Sequence, residues 1–349
     1  MKYVSVFCVM LLSVVLASCG GSSDAPSDAS TTPTPEVEKA TEIKIGLLAP
    51  LSGGASSYGE DAVNVATMLA DEVNAGGGID GAMVKVIPED GACNGQSAVG
   101  AVQKLINIDG VEVIMGGLCS PETISAGKIA QAKGVTMVSA LSSAPEVSNV
   151  GDHVFRYYND LDAAKTVVAY LEDIGARNIA AIHINNEYGN AYIDAVGSEF
   201  WGTISLREKI NDEEKDFTLI AKKIAGSIDD IDALIIVFVS ESQNVSIIKS
   251  LDSEGVLEAL DRNVIGGEGF LTDAVLADVG EMADGLKWTQ FPQIGNLGGD
   301  SGSFIEAYKA NYEIGSGDVF VVLHAESFHL IIDAIREVGI TKQTYYRWR

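Results

Sequence analysis

Short apolar runs of strand length alternate with amphipathic runs of helix length along most of this chain, and few folds can bury that pattern. Strands are predicted over 43–49, 83–87, 111–115 and 135–138, with helices over 60–74, 97–108 and 122–132 between them; Gly76-Gly77-Gly78 stops the first helix. Strands that are apolar on both faces and joined by helices are buried as a parallel sheet between helix layers. The rhythm pauses over 141–160, where Pro145 and Gly151 fall, and then restarts. Helices over 163–174, 189–200, 217–225 and 244–251 alternate with strands over 178–184, 204–209, 233–239 and 264–266. Residues 286–289 then lead back toward the first unit, and 319–338 is a long apolar helix that needs a sheet to cover. The patterned region, about 310 residues, exceeds the size at which one core keeps growing. The expected fold is α/β, with two doubly wound parallel-sheet lobes joined by a multi-strand hinge.

The N-terminus follows different rules. Met1-Lys2-Tyr3 precede an apolar run over 4–16 that is too short to cross a bilayer comfortably and ends in small residues, which are the parts of a secretion signal. Leu16-Ala17-Ser18-Cys19 resembles the bacterial lipobox, in which cleavage precedes the cysteine and lipid is added to it; two or more acyl chains give stable anchoring. The expectation is a signal peptide over 1–18, lipidation at Cys19, and a tether over 19–41 too poor in apolar residues to fold. The protein is then exported and held to a bacterial membrane through lipid alone, facing the periplasm or the cell exterior.

Charge and cysteine usage agree with export. Lys and Arg number 23 against 49 Asp and Glu, a net charge of −26, which argues against nucleic acid or an anionic membrane surface as partner. With Cys8 in the signal and Cys19 carrying lipid, Cys93 and Cys119 remain. In an oxidising compartment they are expected to bond, the alternative being two buried free thiols. His153, His183, His324 and His329 have no ligand spacing to one another or to a cysteine, and no P-loop or strand-linked G-x-G-x-x-G is present; no metal or cofactor is expected. Gly299-Asp300-Ser301-Gly302 echoes a serine-protease nucleophile motif, but that motif belongs to a β-barrel. No activated nucleophile is in view, and the chain is not expected to be an enzyme.

Ligands of open parallel sheets bind beyond the carboxyl ends of the strands, and five loops there carry suitable groups. The first, 50–59, ends in Tyr58-Gly59. In 116–122, Ser120 is the expected N-cap and Pro121 the first helical residue, so that a hydroxyl and a helix N-terminus could hold a carboxylate. The loop over 139–146 offers hydroxyls, amides and the Leu141 carbonyl; 183–189 offers Tyr188; 266–269 places Glu268 among glycines. Together they supply donors for a carboxylate, acceptors for an ammonium and apolar walls. Each has a plainer reading too: Ser120 as a cap only, Tyr58 and Tyr188 as half-buried aromatics, Glu268 as a solvated acid, Ser143 as a turn residue before Pro145.

Residues 43 to about 338 resemble the type I periplasmic binding proteins of branched-chain amino acid ABC transporters. The resemblance rests on Pro50-Leu51-Ser52-Gly53 with Tyr58-Gly59, Asn74 to Ile79, Asp90 with Cys93, Gly116 to Ser120, Ser139 to Glu146 and Glu187-Tyr188-Gly189. It implies a monomer that captures an apolar amino acid by lobe closure and delivers it to a membrane permease. By the same resemblance Ser120, the Leu141 carbonyl and Ser143 bind the α-carboxylate and ammonium, Glu268 completes the ammonium site, Tyr58 and Tyr188 line the cleft, and a Cys93–Cys119 disulfide steadies the loop bearing Ser120. Lobe 1 is expected over 42–157 plus 291–338 and lobe 2 over 158–290. Ser143 stands where many amino-acid binders have threonine, and Ser240 and Val319 where aromatics are common. An amide, urea or aromatic acid therefore stays open as ligand, as does a sensory co-receptor role. Residues 339–349 form a basic, aromatic tail where relatives usually continue, which leaves a truncation or a shifted frame open.

Overall fold

The computed structural model describes residues 41–157, 159–290 and 300–338. The expected signal peptide, the lipidated Cys19, the tether up to residue 40 and the tail over 339–349 lie outside the described residues.

The first half runs β1 (Glu42–Ala49), α1 (Ser56–Ala75), β2 (Met83–Asp90), α2 (Gly95–Lys104), β3 (Val113–Gly116), α3 (Ser120–Lys133), β4 (Thr136–Ser139) and β5 (Val154–Arg156). The second runs α4 (Asp160–Asp173), β6 (Asn178–Ile184), α5 (Glu187–Glu199), β7 (Thr203–Ile210), α6 (Thr218–Ala225), β8 (Ala233–Val237), α7 (Glu241–Ser253), α8 (Val256–Ala259), β9 (Val264–Gly266), α9 (Asp273–Val279) and β10 (Lys287–Trp288). Among the described residues two helices follow, α10 (Ser301–Lys309) and α11 (Asp318–Val338).

Two five-stranded sheets result, ordered β2-β1-β3-β4-β5 and β10-β9-β8-β6-β7, with every pairing between neighbouring strands parallel. Counted from its own first strand, each sheet has the order 2-1-3-4-5, so the chain folds the same doubly wound unit twice. Alternation decides which face each side chain enters. In β1, Ile45 and Leu47 pack with α1, α10 and α11, while Leu48 packs with α2 and α3. In β6, Ala180 and Ile182 face one layer, and Ile179 and Ala181 the other. The long apolar helix expected over 319–338 covers the first sheet through Val321, Ala325, Phe328 and Ile332.

Two segments to which the sequence reading gave no strand are edge strands, and helices over Val256–Ala259, Asp273–Val279 and Ser301–Lys309 were not expected either. The pause over 141–160 contains β5, an edge strand beside β4. Residues 286–289, expected only to lead back, first contribute β10 as the fifth strand of the second sheet.

Candidate ligand-binding site

In each sheet the connections turn in opposite directions from the strand pair β1/β3 or β6/β8, and a crevice opens there beyond the carboxyl ends. The two crevices face each other across one cleft. The first lobe contributes Pro50, Ala55 and Tyr58 after β1, Leu118, Cys119 and Ser120 after β3, Leu141 after β4, and Phe320 from the first turn of α11. The second contributes Asn186 and Tyr188 after β6, Val239 after β8 and Glu268 after β9. Among the described lining residues none is Lys, Arg or His, and Glu268 is the one carrying a formal charge.

The wall from β3 to α3 is held from behind. Glu122, fully buried, accepts from the Cys93 amide at 2.8 Å with Oε1 and from the Leu118 and Cys119 amides at 3.0 Å with Oε2. All three of those residues line the cleft. Because Glu122 reaches back to the Cys119 amide, the N-cap is Cys119, and Ser120 is the first helical residue rather than the expected cap. The Ser120 hydroxyl accepts from the Ala144 amide at 3.2 Å, tying α3 to the loop after β4. Burial pushes the Glu122 carboxyl up to about 7, although its three amide partners pull the other way. Cys93 and Cys119 form a disulfide with Cα atoms 5.2 Å apart.

The hydroxyls of the loop after β4 turn inward. Ser139 donates to the Gly117 carbonyl at 2.6 Å and Thr123 to the same oxygen at 3.0 Å, while Ser139 Oγ accepts from the Ser142 amide at 3.1 Å. Ser143 is buried and is not among the lining residues; its carbonyl accepts from Arg156. The other five residues singled out from sequence, Tyr58, Ser120, Leu141, Tyr188 and Glu268, come together on the cleft.

Tyr58 is buried and meets Phe320 edge-on at 5.1 Å; burial and nearby carboxylates, Glu241 and Glu268 among them, hold its hydroxyl protonated. Phe320 is placed by Asp61 of α1, whose carboxylate accepts from Tyr308 at 2.8 Å and from the Ser316 amide at 2.7 Å. Glu268 is half-buried, and loss of water around its carboxyl pushes it up to about 7, opposed by hydrogen bonds from its own amide, Tyr188 and Thr289. Tyr188 reaches Glu268 Oε2 at 3.5 Å, the outer limit of a hydrogen bond. Tyr192, beneath Tyr188, shares a hydrogen bond of 3.0 Å with Thr289.

Sequence reasoning missed Val239 and Phe320 by one position each. The structure puts Val239, not Ser240, on the cleft, and supplies an aromatic from Phe320 beside Val319. Ser240 lies at the head of α7.

This architecture, two parallel-sheet lobes facing one cleft, defines a two-lobed solute-binding protein. The chain belongs to the periplasmic binding protein family, whose sequence model matches residues 42–345. It is 26% identical over 306 residues to the leucine-, isoleucine-, valine-, threonine- and alanine-binding protein of Pseudomonas aeruginosa, covering 86% of this chain and 79% of that one. Identity to the Leu/Ile/Val-binding protein of Escherichia coli is 28% over 258 residues, 72% of this chain and 68% of the other. Among solved structures, the branched-chain amino acid transporter substrate-binding protein LivJ of Streptococcus pneumoniae, in complex with isoleucine, superposes with a TM-score of 0.76 at 22% identity, covering 88% and 87% of the two chains. A solute-binding protein of an ABC transporter from Rhodopseudomonas palustris, in complex with 3,4-dihydroxybenzoic acid, gives 0.75 at 20% identity, covering 88% and 85%. These relatives are binding proteins, and the chain is a binding protein rather than an enzyme.

Proposed function

We propose that this protein is an extracytoplasmic lipoprotein, anchored through Cys19, that captures an apolar amino acid, branched-chain in first place, by closure of two lobes and delivers it to an ABC permease. Lobe 1 comprises 42–157 plus 291–338 and lobe 2 comprises 158–290. The observation that carries the ligand reading is Glu268, a carboxylate in a cleft otherwise lined by neutral and mostly apolar groups, with no described basic residue among them. A bare carboxylic acid would bring a second negative charge to a cleft with no described basic side chain to balance it; an amino acid adds an ammonium that pairs with Glu268. Ser120 and the Leu141 carbonyl take the polar end of the ligand with Glu268, Tyr58 and Tyr188 wall the cleft, and Ser143, which does not line it, is given no contact with the ligand. Because groups on both lobes hold the ligand, it favours the closed state over the open one.

An aromatic acid is the second reading, favoured by the Tyr58–Phe320 pair and by the benzoate-type ligand of a structural neighbour. A thermal-shift panel separates the two. A ligand at 1,000 times its dissociation constant stabilises by about 4 kcal/mol. Leucine, isoleucine or valine should raise the melting temperature, and hydroxybenzoates should not; the reverse result overturns the ligand assignment and leaves the fold untouched.

A further inference from the structure

The cleft is bordered by two contacts in which a side chain of one lobe fits against a glycine of the other. A Cβ on Gly54, in the loop after β1, would stand 2.3 Å from Ser240 Oγ and 2.5 Å from Ser240 Cβ, at the head of α7. A Cβ on Gly269, after β9, would stand 2.1 Å from the Tyr58 hydroxyl. Distances under 3 Å between such atoms do not occur without something shifting, and Ser240 Cβ, one bond from the main chain, has little freedom to yield. The contacts are reciprocal, because Gly54 and Tyr58 belong to the first lobe, and Ser240 and Gly269 to the second. Gly53, the immediate neighbour of Gly54, has nothing within 4 Å of its own Cβ position. The close approach is therefore a property of residue 54 and not of the whole loop. Neither Gly54 nor Ser240 lines the cleft.

We infer that Gly54 is a closure socket: the space left by its missing side chain sets how far the lobes come together, and thereby controls affinity from outside the ligand-contacting surface. Closure brings Glu268 to the groups on the first lobe. A wedge at position 54 holds them apart and lowers the population of the binding-competent state, which weakens apparent affinity by that same fraction. Ser240 has the complementary role. A larger residue there would demand the same space, so the small side chain at 240 and the glycine at 54 form one matched pair. Gly269 is the second socket, but its φ of +78° strains any side chain placed there, so Gly54 gives the cleaner test.

The inference rests on the reading of the cleft as a site that closes on its ligand, and two experiments separate the failure of one from the failure of the other. In the first, Gly54→Cys/Ser240→Cys is treated with copper–phenanthroline under air without ligand, and the bridged peptides are sought by mass spectrometry. A slight parting of the lobes brings the pair into disulfide geometry. Cross-linking is expected, and its absence overturns the socket whatever the protein binds. In the second, calorimetry with L-leucine compares wild type, Gly54→Val, Ser240→Gly and the double variant Gly54→Val/Ser240→Gly. Gly54→Val should weaken binding at least about tenfold with the melting temperature of the free protein nearly unchanged, and Ser240→Gly in the same chain should restore most of the loss. Wild-type affinity in Gly54→Val, or no rescue in the double variant, overturns the inference. Should the pair cross-link while wild type ignores leucine, the ligand reading fails and the socket stands; the same four proteins are then titrated with the solute that the thermal panel identifies.

Discussion

Lowering the pH from 7.5 to 5.5 should weaken amino-acid binding without altering the ligand, because a free amino acid keeps both its charges over that range. The group lining the cleft that changes is Glu268, whose carboxyl burial pushes up to about 7; Glu122, pushed to a similar value, stands behind the wall and not on it. With that value the ionised fraction falls from about three quarters to about 3%. If only the ionised form accepts the ammonium, affinity falls about 25-fold, or about 2 kcal/mol. The sign follows from the ligand: an ammonium beside Glu268 favours its charged form, so bound protein holds fewer protons than free protein, and binding strengthens as pH rises until the carboxyl is ionised in both. Isothermal titration with L-leucine at half-unit steps would trace this, and Glu268→Gln should bind weakly with most of the slope gone. An affinity in wild type that is flat from 5.5 to 7.5, or a slope kept intact in Glu268→Gln, would refute the reasoning.

Three further outcomes concern the frame around the site. Glu122→Gln puts an amide donor against backbone donors at Cys93, Leu118 and Cys119; urea denaturation should show about 1–3 kcal/mol lost, as when a buried polar group is left without its partner. Reducing the Cys93–Cys119 bond, which spans a sequence separation of 26, should cost about 3.5 kcal/mol in the chain-entropy account, read as a lower melting temperature in dithiothreitol. His324 is completely buried, and desolvation holds it down at about 3. The unfolded chain takes up a proton near pH 6.5 that the native state refuses, so this histidine removes stability as pH falls below 6.5. His324→Phe should spare about 2 kcal/mol of the loss between pH 6.5 and 4.5 in denaturation curves.

The doubly wound frame was legible because it rests on long, strongly patterned segments: the apolar core of β6 and β8 and the length of α11 leave no other way to bury them. β5 and β10 were not, since edge strands of three and two residues carry no periodicity, and Phe155 and Trp288 within them stay partly exposed. Five of the six candidate residues fall on the cleft because the rule that ligands sit beyond strand ends selects loops, and those loops are rich in Tyr, Ser and Glu. Positions 240 and 319 came instead from the family resemblance, which placed them one residue away from Val239 and from Phe320 in the first turn of α11. The cap was also displaced: a hydroxyl before proline suggested Ser120, whereas an acid three residues after Cys119 was the capping-box signal that pointed to Cys119 and Glu122. The meeting of Gly54 with Ser240 has no local signature, because nearly two hundred residues lie between them.

The central claim, that Glu268 holds the ammonium of an apolar amino acid, is tested most directly by titrating the protein with L-leucine and with 4-methylpentanoate, which keeps the carboxylate and the side chain and lacks only the amino group. Leucine should bind at least about a hundredfold more tightly, the order expected when a buried charged group loses its partner, and Glu268→Gln should shrink that preference. Equal binding of the two compounds, or tighter binding of 4-methylpentanoate, would contradict the account.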